Sequence, residues 1–163
     1  MKRNVAATHD VVRPLNSNIC KNTNSWPEHH NISAVGTPDD HFVEKDGVLF
    51  AGTHLILDFW GAKKLDDLQC MENALRECVD KCEATLLHIH LHHFTPNGGI
   101  SGVAVLAESH ISVHTWPERD FAAFDIFMCG HSRPEEAIAV LKRAFLPQRM
   151  QITENLRGVL ARA

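Results

Sequence analysis

Residues 106–118 read LAESHISVHTWPE, and a Cys-Gly pair follows at 129–130. A serine nucleophile needs a base that takes its proton and a group that stabilises the developing oxyanion. Histidine suits the role of base because its side chain titrates near neutral pH. A cysteine is mostly protonated at neutral pH and can donate a proton later. Ser109, the two following histidines and Cys129 are therefore candidate catalytic residues.

The residues around Ser109 exclude one familiar type of catalytic serine site. No Gly-x-Ser-x-Gly sequence occurs here, so the nucleophile elbow of the α/β-hydrolases is not predicted. Residues 110–116 read as a strand. Ser109 and His114 are five positions apart and would point to opposite faces if that strand were straight. For these two side chains to meet, the chain must turn or bulge near residue 109.

Strands extend on both sides of this stretch. Residues 85–94 and 100–107 are predicted strands, separated by a PNGG turn. Residues 122–129, AAFDIFMC, are largely apolar on both faces, which predicts a central strand. Residues 53–60 form another predicted strand, with Leu55, Leu57 and Phe59 on one face.

Two helices complete the pattern. Residues 65–83 carry one apolar stripe at helical spacing, made of Leu68, Met71, Leu75, Cys78, Val79 and Cys82. A capping box at 132–135 predicts the start of the second helix, Pro147 ends it, and residues 150–154 read as a last strand. This order predicts an α+β fold, a two-layer sandwich of a mainly antiparallel sheet with helices on one face. A second copy could cover the bare face.

The first 48 residues show no sustained period of 2 or 3.6. They are predicted to form an irregular or disordered N-terminal arm, with one domain over 49–163. A chain of 163 residues with 44% apolar residues is large enough for one real core.

Composition narrows the possible partners. A net charge of -4 gives no electrostatic reason to expect nucleic acid or an anionic membrane surface. No apolar run reaches membrane-spanning length and no signal peptide is evident. The five cysteines are odd in number and form no Cys-x-x-Cys, so neither a disulfide framework nor a zinc ribbon is predicted. A reducing cytoplasm is the expected location.

Histidines supply a rival interpretation. The chain contains 12 of them, and His88, His90 and His92 alternate along one predicted strand, so they share a face. Three imidazoles on one face could bind zinc or copper. No cysteine or carboxylate joins them within the strand, so we expect no metal there. A histidine-rich metal-binding module nevertheless stays open as an alternative.

Four motifs together resemble a known family. They are ESHISVHTWPE at 108–118, AAFDIFMCG at 122–130, HHFTP at 92–96 and SGV at 101–103. In these motifs the chain closely resembles the prokaryotic S-adenosylmethionine decarboxylase proenzymes, from about residue 53 to about residue 158. The resemblance implies a dimer of cleaved protomers with the sites near the interface.

The resemblance also implies self-cleavage between Glu108 and Ser109. The Ser109 hydroxyl would attack the Glu108 carbonyl to form an ester, and elimination and hydrolysis would convert Ser109 into a pyruvoyl cofactor. That ketone would hold the substrate amine as a Schiff base and serve as the electron sink that decarboxylation needs. His114 matches the family histidine that takes the proton during elimination, and Ser101 matches a serine that assists processing.

The remaining roles implied by the resemblance concern turnover. Cys129 matches the proton donor to the substrate carbanion. Phe94 matches the aromatic residue that stacks on adenine, and Glu118 matches the carboxylate that holds the nucleoside. Stacking and a charge-assisted contact are what an adenosyl sulfonium requires.

Three alternatives remain at this point. The same pyruvoyl chemistry serves related arginine and ornithine decarboxylases, which would share Ser109, His114 and Cys129. The metal-binding module is a second alternative. An unprocessed relative that only regulates a partner is a third, although the intact motif argues against it.

Overall fold

The computed structural model describes residues 10–11 and 41–160. The strands are β1 Asp10–Val11, β2 Val43–Lys45, β3 Val48–Phe50, β4 Gly52–Trp60, β5 Leu86–His93, β6 Ile100–Leu106, β7 Ser109–Trp116, β8 Phe121–Cys129 and β9 Arg149–Arg157. The helices are α1 Leu68–Lys81 and α2 Glu136–Phe145, and a short 3₁₀ turn spans Pro117–Arg119. Neither helix in this part of the chain is long and apolar enough to cross a membrane.

Seven strands form the main sheet, in the order β1-β9-β4-β8-β7-β6-β5. Strands β4 to β9 pair antiparallel, and the two-residue β1 lies parallel to β9. Strand β8 is in the middle, between β4 and β7, as its apolar faces predict. The α+β fold class is confirmed, because both helices contribute to one core that covers one face of the sheet.

The core contains every second residue of the central strands. Leu57, Phe59 and Phe124 are fully buried, and the alternate residues of the same strands lie on the opposite face. We call this opposite face, which no helix of the described chain covers, the open face. Ile56, Val105 and Trp116 are exposed on it at 37%, 39% and 41%.

Helix α1 begins one residue after Asp67, whose side chain accepts the Cys70 N–H. Such a cap satisfies an N–H group that the first helical turn leaves unpaired. The predicted apolar stripe of α1 is largely correct. However, Leu68 is 39% exposed, and Ala74, which was not part of the predicted stripe, is buried. Cys82 is in the core as predicted, and burial raises the pKa of its thiol to about 11, so it is a packing residue.

The predicted start of the second helix at 132–135 is wrong. Helix α2 begins at Glu136, and its N-cap Glu135 makes no side-chain cap. The N–H groups of Glu136 and Ala137 donate instead to carbonyls three residues earlier, those of Arg133 and Pro134. These 3₁₀-type bonds satisfy the first turn, so no serine cap forms.

The described residues also include regular structure on both sides of residue 48. Strands β2 and β3 form a hairpin over 43–50, and the Gly130 N–H donates to the His41 carbonyl at 3.1 Å. The hairpin therefore straddles the boundary placed between 48 and 49. The rest of the predicted N-terminal arm, residues 1–9 and 12–40, lies outside the described residues.

Candidate active site

The Glu108-Ser109 bond lies at a hairpin between β6 and β7. Leu106 pairs with Ser109, and Ala107 and Glu108 form the turn. Thr85 anchors this turn through its backbone: its carbonyl accepts the Ala107 N–H at 3.0 Å, and its N–H donates to Glu108 Oε2 at 2.8 Å. Both residues of the turn are thus tied to the chain that leads into β5.

Ser109 adopts a backbone φ of 149°. A non-glycine residue held at such an angle costs about 1–3 kcal/mol. Its hydroxyl lies near the next side chain, with 3.3 Å between Ser109 Oγ and His110 Nδ1. The chain does turn near residue 109, as a meeting of Ser109 with His114 would require, but this turn brings Ser109 to His110.

Cys129 binds the carbonyl oxygen of the same peptide bond twice. Its backbone N–H donates to the Glu108 oxygen at 3.1 Å, and its thiol donates to that oxygen at 3.0 Å. Two donors on one carbonyl oxygen stabilise negative charge that develops there. We call Glu108, Ser109, His110 and Cys129 the turn cluster.

A second group of candidate residues surrounds a pocket at the other end of β7. Ser101 Oγ lies 2.8 Å from His114 Nδ1, and the cross-strand pairing of these two residues brings them together. The pocket has a volume of about 220 Å³, and its lining comprises Phe94, Asn97, Gly99, Ser101, His114, Thr115, Trp116 and Glu118. We call Phe94, Ser101, His114 and Glu118 the pocket cluster.

Phe94 is 47% exposed and presents its ring to this pocket. The edge of His92 supports the ring, with 4.5 Å between the ring centroids. Gly99 packs against the backbone of Thr115, and a Cβ at position 99 would lie 2.9 Å from the Thr115 carbonyl oxygen. A larger residue at 99 would therefore distort the pocket wall.

The two clusters lie apart in one chain. Ser109 pairs with Met128, whereas His114 pairs with Ala123. Ser109 and His114 are five positions apart along the strand, so their backbones are roughly 16 Å apart at about 3.3 Å per residue. The structure thus brings Ser109 to Cys129 and joins His114 to Ser101 and Phe94, but it does not bring Ser109 to His114 within one chain.

Sequence reasoning missed the contact between Ser109 and His110. Adjacent residues of a straight strand point to opposite faces, so the alternation pattern separates these two side chains. Asn97 and Trp116 were also missed as pocket residues. Their positions beside Phe94 and Glu118 in the sequence were the available signal.

Polar groups occupy the middle of the open face. His54 Nδ1 lies 3.1 Å from Arg157 Nη1. Its Nε2 lies 3.3 Å from Asp125 Oδ1, a close contact that lacks the alignment of a hydrogen bond. Burial, and then the Asp125 carboxylate, raise the pKa of Asp58, and Arg149 partly offsets the rise.

The alternating histidines share a face of β5, as the sequence predicts. His88, His90 and His92 are exposed there, and β5 is an edge strand of the sheet. Within residues 10–11 and 41–160, no group of three or more His, Cys, Asp or Glu side chains is arranged to hold a metal ion. The geometry therefore does not favour the metal-binding module.

Fold and site together define a class of protein. It is an α+β protein in which a strained serine follows a peptide bond whose carbonyl oxygen already accepts two hydrogen bonds. This arrangement suits attack by a side chain on its own backbone.

Comparison with known proteins gives the family. The S-adenosylmethionine decarboxylase family matches residues 53–158. An S-adenosylmethionine decarboxylase proenzyme of Thermomicrobium roseum is 46% identical, over 67% of this chain and 95% of the relative. The proenzyme of Methanococcus vannielii is 45% identical, over 67% of this chain and 91% of the relative.

A solved structure agrees with these relatives. The crystal structure of adenosylmethionine decarboxylase from Aquifex aeolicus superposes with a TM-score of 0.61 at 29% identity, covering 70% of this chain and 96% of that one. The chain therefore belongs to the S-adenosylmethionine decarboxylase family.

Proposed function

We propose that this chain is made as a precursor, cleaves itself between Glu108 and Ser109, and then decarboxylates S-adenosylmethionine to S-adenosylmethioninamine and CO2. The product would supply aminopropyl groups for spermidine synthesis. The observation that carries the proposal is the double hydrogen bond from Cys129 to the Glu108 carbonyl oxygen, directly before a strained Ser109.

Self-cleavage follows from the chemistry of that bond. Attack by Ser109 Oγ on the Glu108 carbonyl carbon exchanges the amide for an ester and frees the Ser109 amino group. The Ser109 Cα then loses its proton and the new C-terminal carboxylate of residue 108 leaves, which gives dehydroalanine. Water hydrolyses the dehydroalanine, and its nitrogen is released as ammonia. The products are residues 1–108 and a fragment, 109–163, that begins with a pyruvoyl group.

The turn cluster fits a pyruvoyl group at position 109. This group supplies the electron sink that the carbanion needs when an α-amino acid loses CO2. The Cys129 thiol lies 3.0 Å from the Glu108 oxygen, so it is beside the place where that carbanion would form. We therefore assign Cys129 as the donor of the proton to this carbanion during turnover.

The pocket cluster suits the nucleoside part of the substrate. The half-exposed Phe94 ring can stack on adenine. The Glu118 carboxylate lines the same pocket and can accept hydrogen bonds from ribose hydroxyls. Neither residue is needed to hold the short chain of ornithine or arginine, so this pocket favours the adenosyl substrate.

A second copy of the chain completes the site in this proposal. One chain holds its turn and pocket clusters at opposite ends of β7. Two open faces packed about a two-fold axis that crosses the strands would place each turn cluster opposite the pocket cluster of the other copy. Packing would also cover the exposed Ile56, Val105 and Trp116.

We place the protein in the cytoplasm. Cys70, Cys78, Cys82 and Cys129 are free thiols in the described part of the chain. A free thiol within the turn cluster, at Cys129, suits a reducing compartment.

Purified native protein tests the proposal. Denaturing electrophoresis should show two fragments, and mass spectrometry after borohydride treatment should find a trapped carbonyl at the start of the shorter one. CO2 should be released from S-adenosylmethionine and not from ornithine or arginine. Ser109→Ala should give one uncleaved, inactive chain. An intact native chain that keeps an ordinary serine would end the proposal, and release from ornithine or arginine alone would overturn the substrate.

A further inference from the structure

The histidine that contacts the reacting hydroxyl is His110. Its Nδ1 is 3.3 Å from Ser109 Oγ, just beyond the range of about 2.6–3.2 Å for a working general base, and such contacts are often long before the reaction and tighten in the transition state. The positive φ of Ser109 makes this contact possible, because it breaks the alternation that keeps adjacent side chains of a strand apart.

We infer that His110 is the general base for the first step of self-cleavage, the transfer of the Glu108 acyl group from nitrogen to oxygen. This inference rests on the proposed function. With a proton on Nε2, His110 Nδ1 can accept the proton of the Ser109 hydroxyl. The imidazole of His110 then acts first as the base and afterwards as the acid of the same acyl transfer.

The step balances without any co-reactant. As Ser109 Oγ bonds to the Glu108 carbonyl carbon, its proton passes to His110 Nδ1, and the carbonyl oxygen becomes an oxyanion held by the Cys129 N–H and thiol. The carbon–nitrogen bond then breaks, the oxyanion returns to a carbonyl, and the proton on His110 passes to the leaving Ser109 nitrogen. An ester and a free amine result.

His114 is excluded from this step within one chain by its place in the sheet. It is paired with Ser101 and Ala123 and bonded to Ser101 Oγ at 2.8 Å, roughly 16 Å along β7 from Ser109 at about 3.3 Å per residue. His110, by contrast, is held beside Ser109 by the ring of Phe127, edge to face at 6.1 Å between centroids. Two histidines thus serve two steps: His110 of the same chain the acyl transfer, and His114 of the second copy, which the proposed dimer places opposite the turn cluster, the later elimination.

Cleavage of freshly purified precursor separates these roles. His110→Ala and His110→Gln should cleave about 100-fold more slowly than native chain, the lower end of the range for loss of a general base. Gln keeps a hydrogen-bonding group near Ser109 but cannot carry the proton. Exposed His131 provides the matched control, and His131→Ala should cleave at the native rate.

Hydroxylamine, which cuts esters and spares amides, reports which step is blocked. The folded His110→Ala precursor, isolated by gel filtration, should resist hydroxylamine because the ester never forms. The His114→Ala precursor should be cut between 108 and 109 because its ester accumulates. Free imidazole should restore cleavage of His110→Ala, an effect that a purely structural role of His110 would not produce.

Three outcomes would overturn the inference. They are cleavage of both His110 variants within threefold of native chain, accumulation of ester in His110→Gln, and failure of imidazole to restore cleavage in a folded His110→Ala precursor. These failures would leave the proposed function standing so long as native chain cleaves. Failure of native chain to cleave at 108–109 would instead remove the proposed function itself.

Discussion

Ser109 carries both the reacting hydroxyl and a backbone angle that favours glycine. Its φ of 149° is maintained by the fold around it: Leu106 and Met128 pair with Ser109 from both sides, and Thr85 ties down the preceding turn. Backbone strain at a functional residue persists when its surroundings over-determine the conformation. The strain therefore lies in the torsion about the Ser109 N–Cα bond, directly next to the peptide bond that self-cleavage would break.

This strain can be measured in chains that lack the hydroxyl. Ser109→Gly should be about 1 kcal/mol more stable than Ser109→Ala by urea unfolding, because the relief of strain at a positive φ outweighs the larger conformational entropy that glycine loses on folding. Neither variant can cleave, so both report on intact precursor. The corresponding variants at Ser112, inside β7, should show the opposite order, with Ser112→Ala more stable than Ser112→Gly. Equal stability of the two Ser109 variants would argue against strain.

The Glu108 side chain should hold the turn in place for reaction. Glu108→Ala removes the acceptor of the Thr85 N–H and should slow self-cleavage by about tenfold, the effect of losing roughly 1.4 kcal/mol of hydrogen bonding. Glu108→Gln keeps an acceptor oxygen and should cleave within a few-fold of native chain. A time course of precursor cleavage on denaturing gels measures these rates, with Glu154→Ala, a change at an exposed site, as the control.

At the scale of elements, α1 stabilises the sheet through a few buried side chains. Met71, Leu75 and Cys78 are fully buried in the core, whereas Leu68 in the first turn is 39% exposed. Burying a leucine side chain is worth about 1.5–3 kcal/mol relative to leaving it in water. Apolar residues of one helix therefore differ widely in their contribution to stability.

Leu75 and Leu68 provide a direct comparison of that contribution. Leu75→Ala should lower the free energy of unfolding by about 2–4 kcal/mol, because a cavity remains in the core. Leu68→Ala should change it by less than about 1 kcal/mol, since alanine at an exposed helical site also has the higher helix propensity. Urea unfolding in the uncleavable Ser109→Ala background measures both, and similar losses for the two would contradict the assignment of the core.

Asp58, on the open face, makes stability depend on pH. Burial and Asp125 raise its folded pKa above the unfolded value of 3.8, so the native state binds this proton more tightly. Its contribution is fully present below the unfolded pKa and is lost as pH rises through the folded pKa. Asp58→Asn should therefore be more stable than its parent at pH 7, with the difference shrinking toward pH 4.

Thermal unfolding from pH 4 to pH 8, again in the Ser109→Ala background, measures this difference. Exposed Asp80 is the matched control, and Asp80→Asn should show no such trend. A gain at Asp58 that grows toward low pH would reverse the sign and refute the argument.

At the scale of the whole molecule, the proposed dimer accounts for both the exposed open face and the separation of the two clusters. One chain holds its turn cluster at one end of β7 and its pocket cluster at the other. A dimer through the open face would combine the turn cluster of one copy with the pocket cluster of the other, and it would remove exposed apolar side chains from water.

Co-expression of two defective chains tests this arrangement. Ser109→Ala lacks the nucleophile of the turn cluster, and Phe94→Ala lacks the stacking ring of the pocket cluster. If each site combines two copies, the purified mixed dimer has one intact site and should recover about half the native decarboxylation, since a two-fold dimer carries two equivalent sites. Mixed dimers no more active than the Phe94→Ala dimer would show that each site lies within one chain.

Much of the fold could be predicted from the sequence. Alternating apolar residues at Leu55, Leu57 and Phe59 identified the buried face of β4, and the apolar stripe identified α1, because both patterns are local. The start of α2 was not predictable, since the 3₁₀-type bonds to Arg133 and Pro134 replaced the serine cap. The hairpin at 43–50 was missed because short strands carry little periodic signal.

The sequence by itself determined the class of fold, the candidate residues and their resemblance to a family, because periodicity and motif spacing are properties of the chain. Only the tertiary structure decided which candidates meet. It joined Ser109 to His110, placed Cys129 on the Glu108 carbonyl oxygen, and left His114 at the far end of β7. Strand register and the φ of one residue set these distances, and both depend on contacts between segments that are distant in sequence.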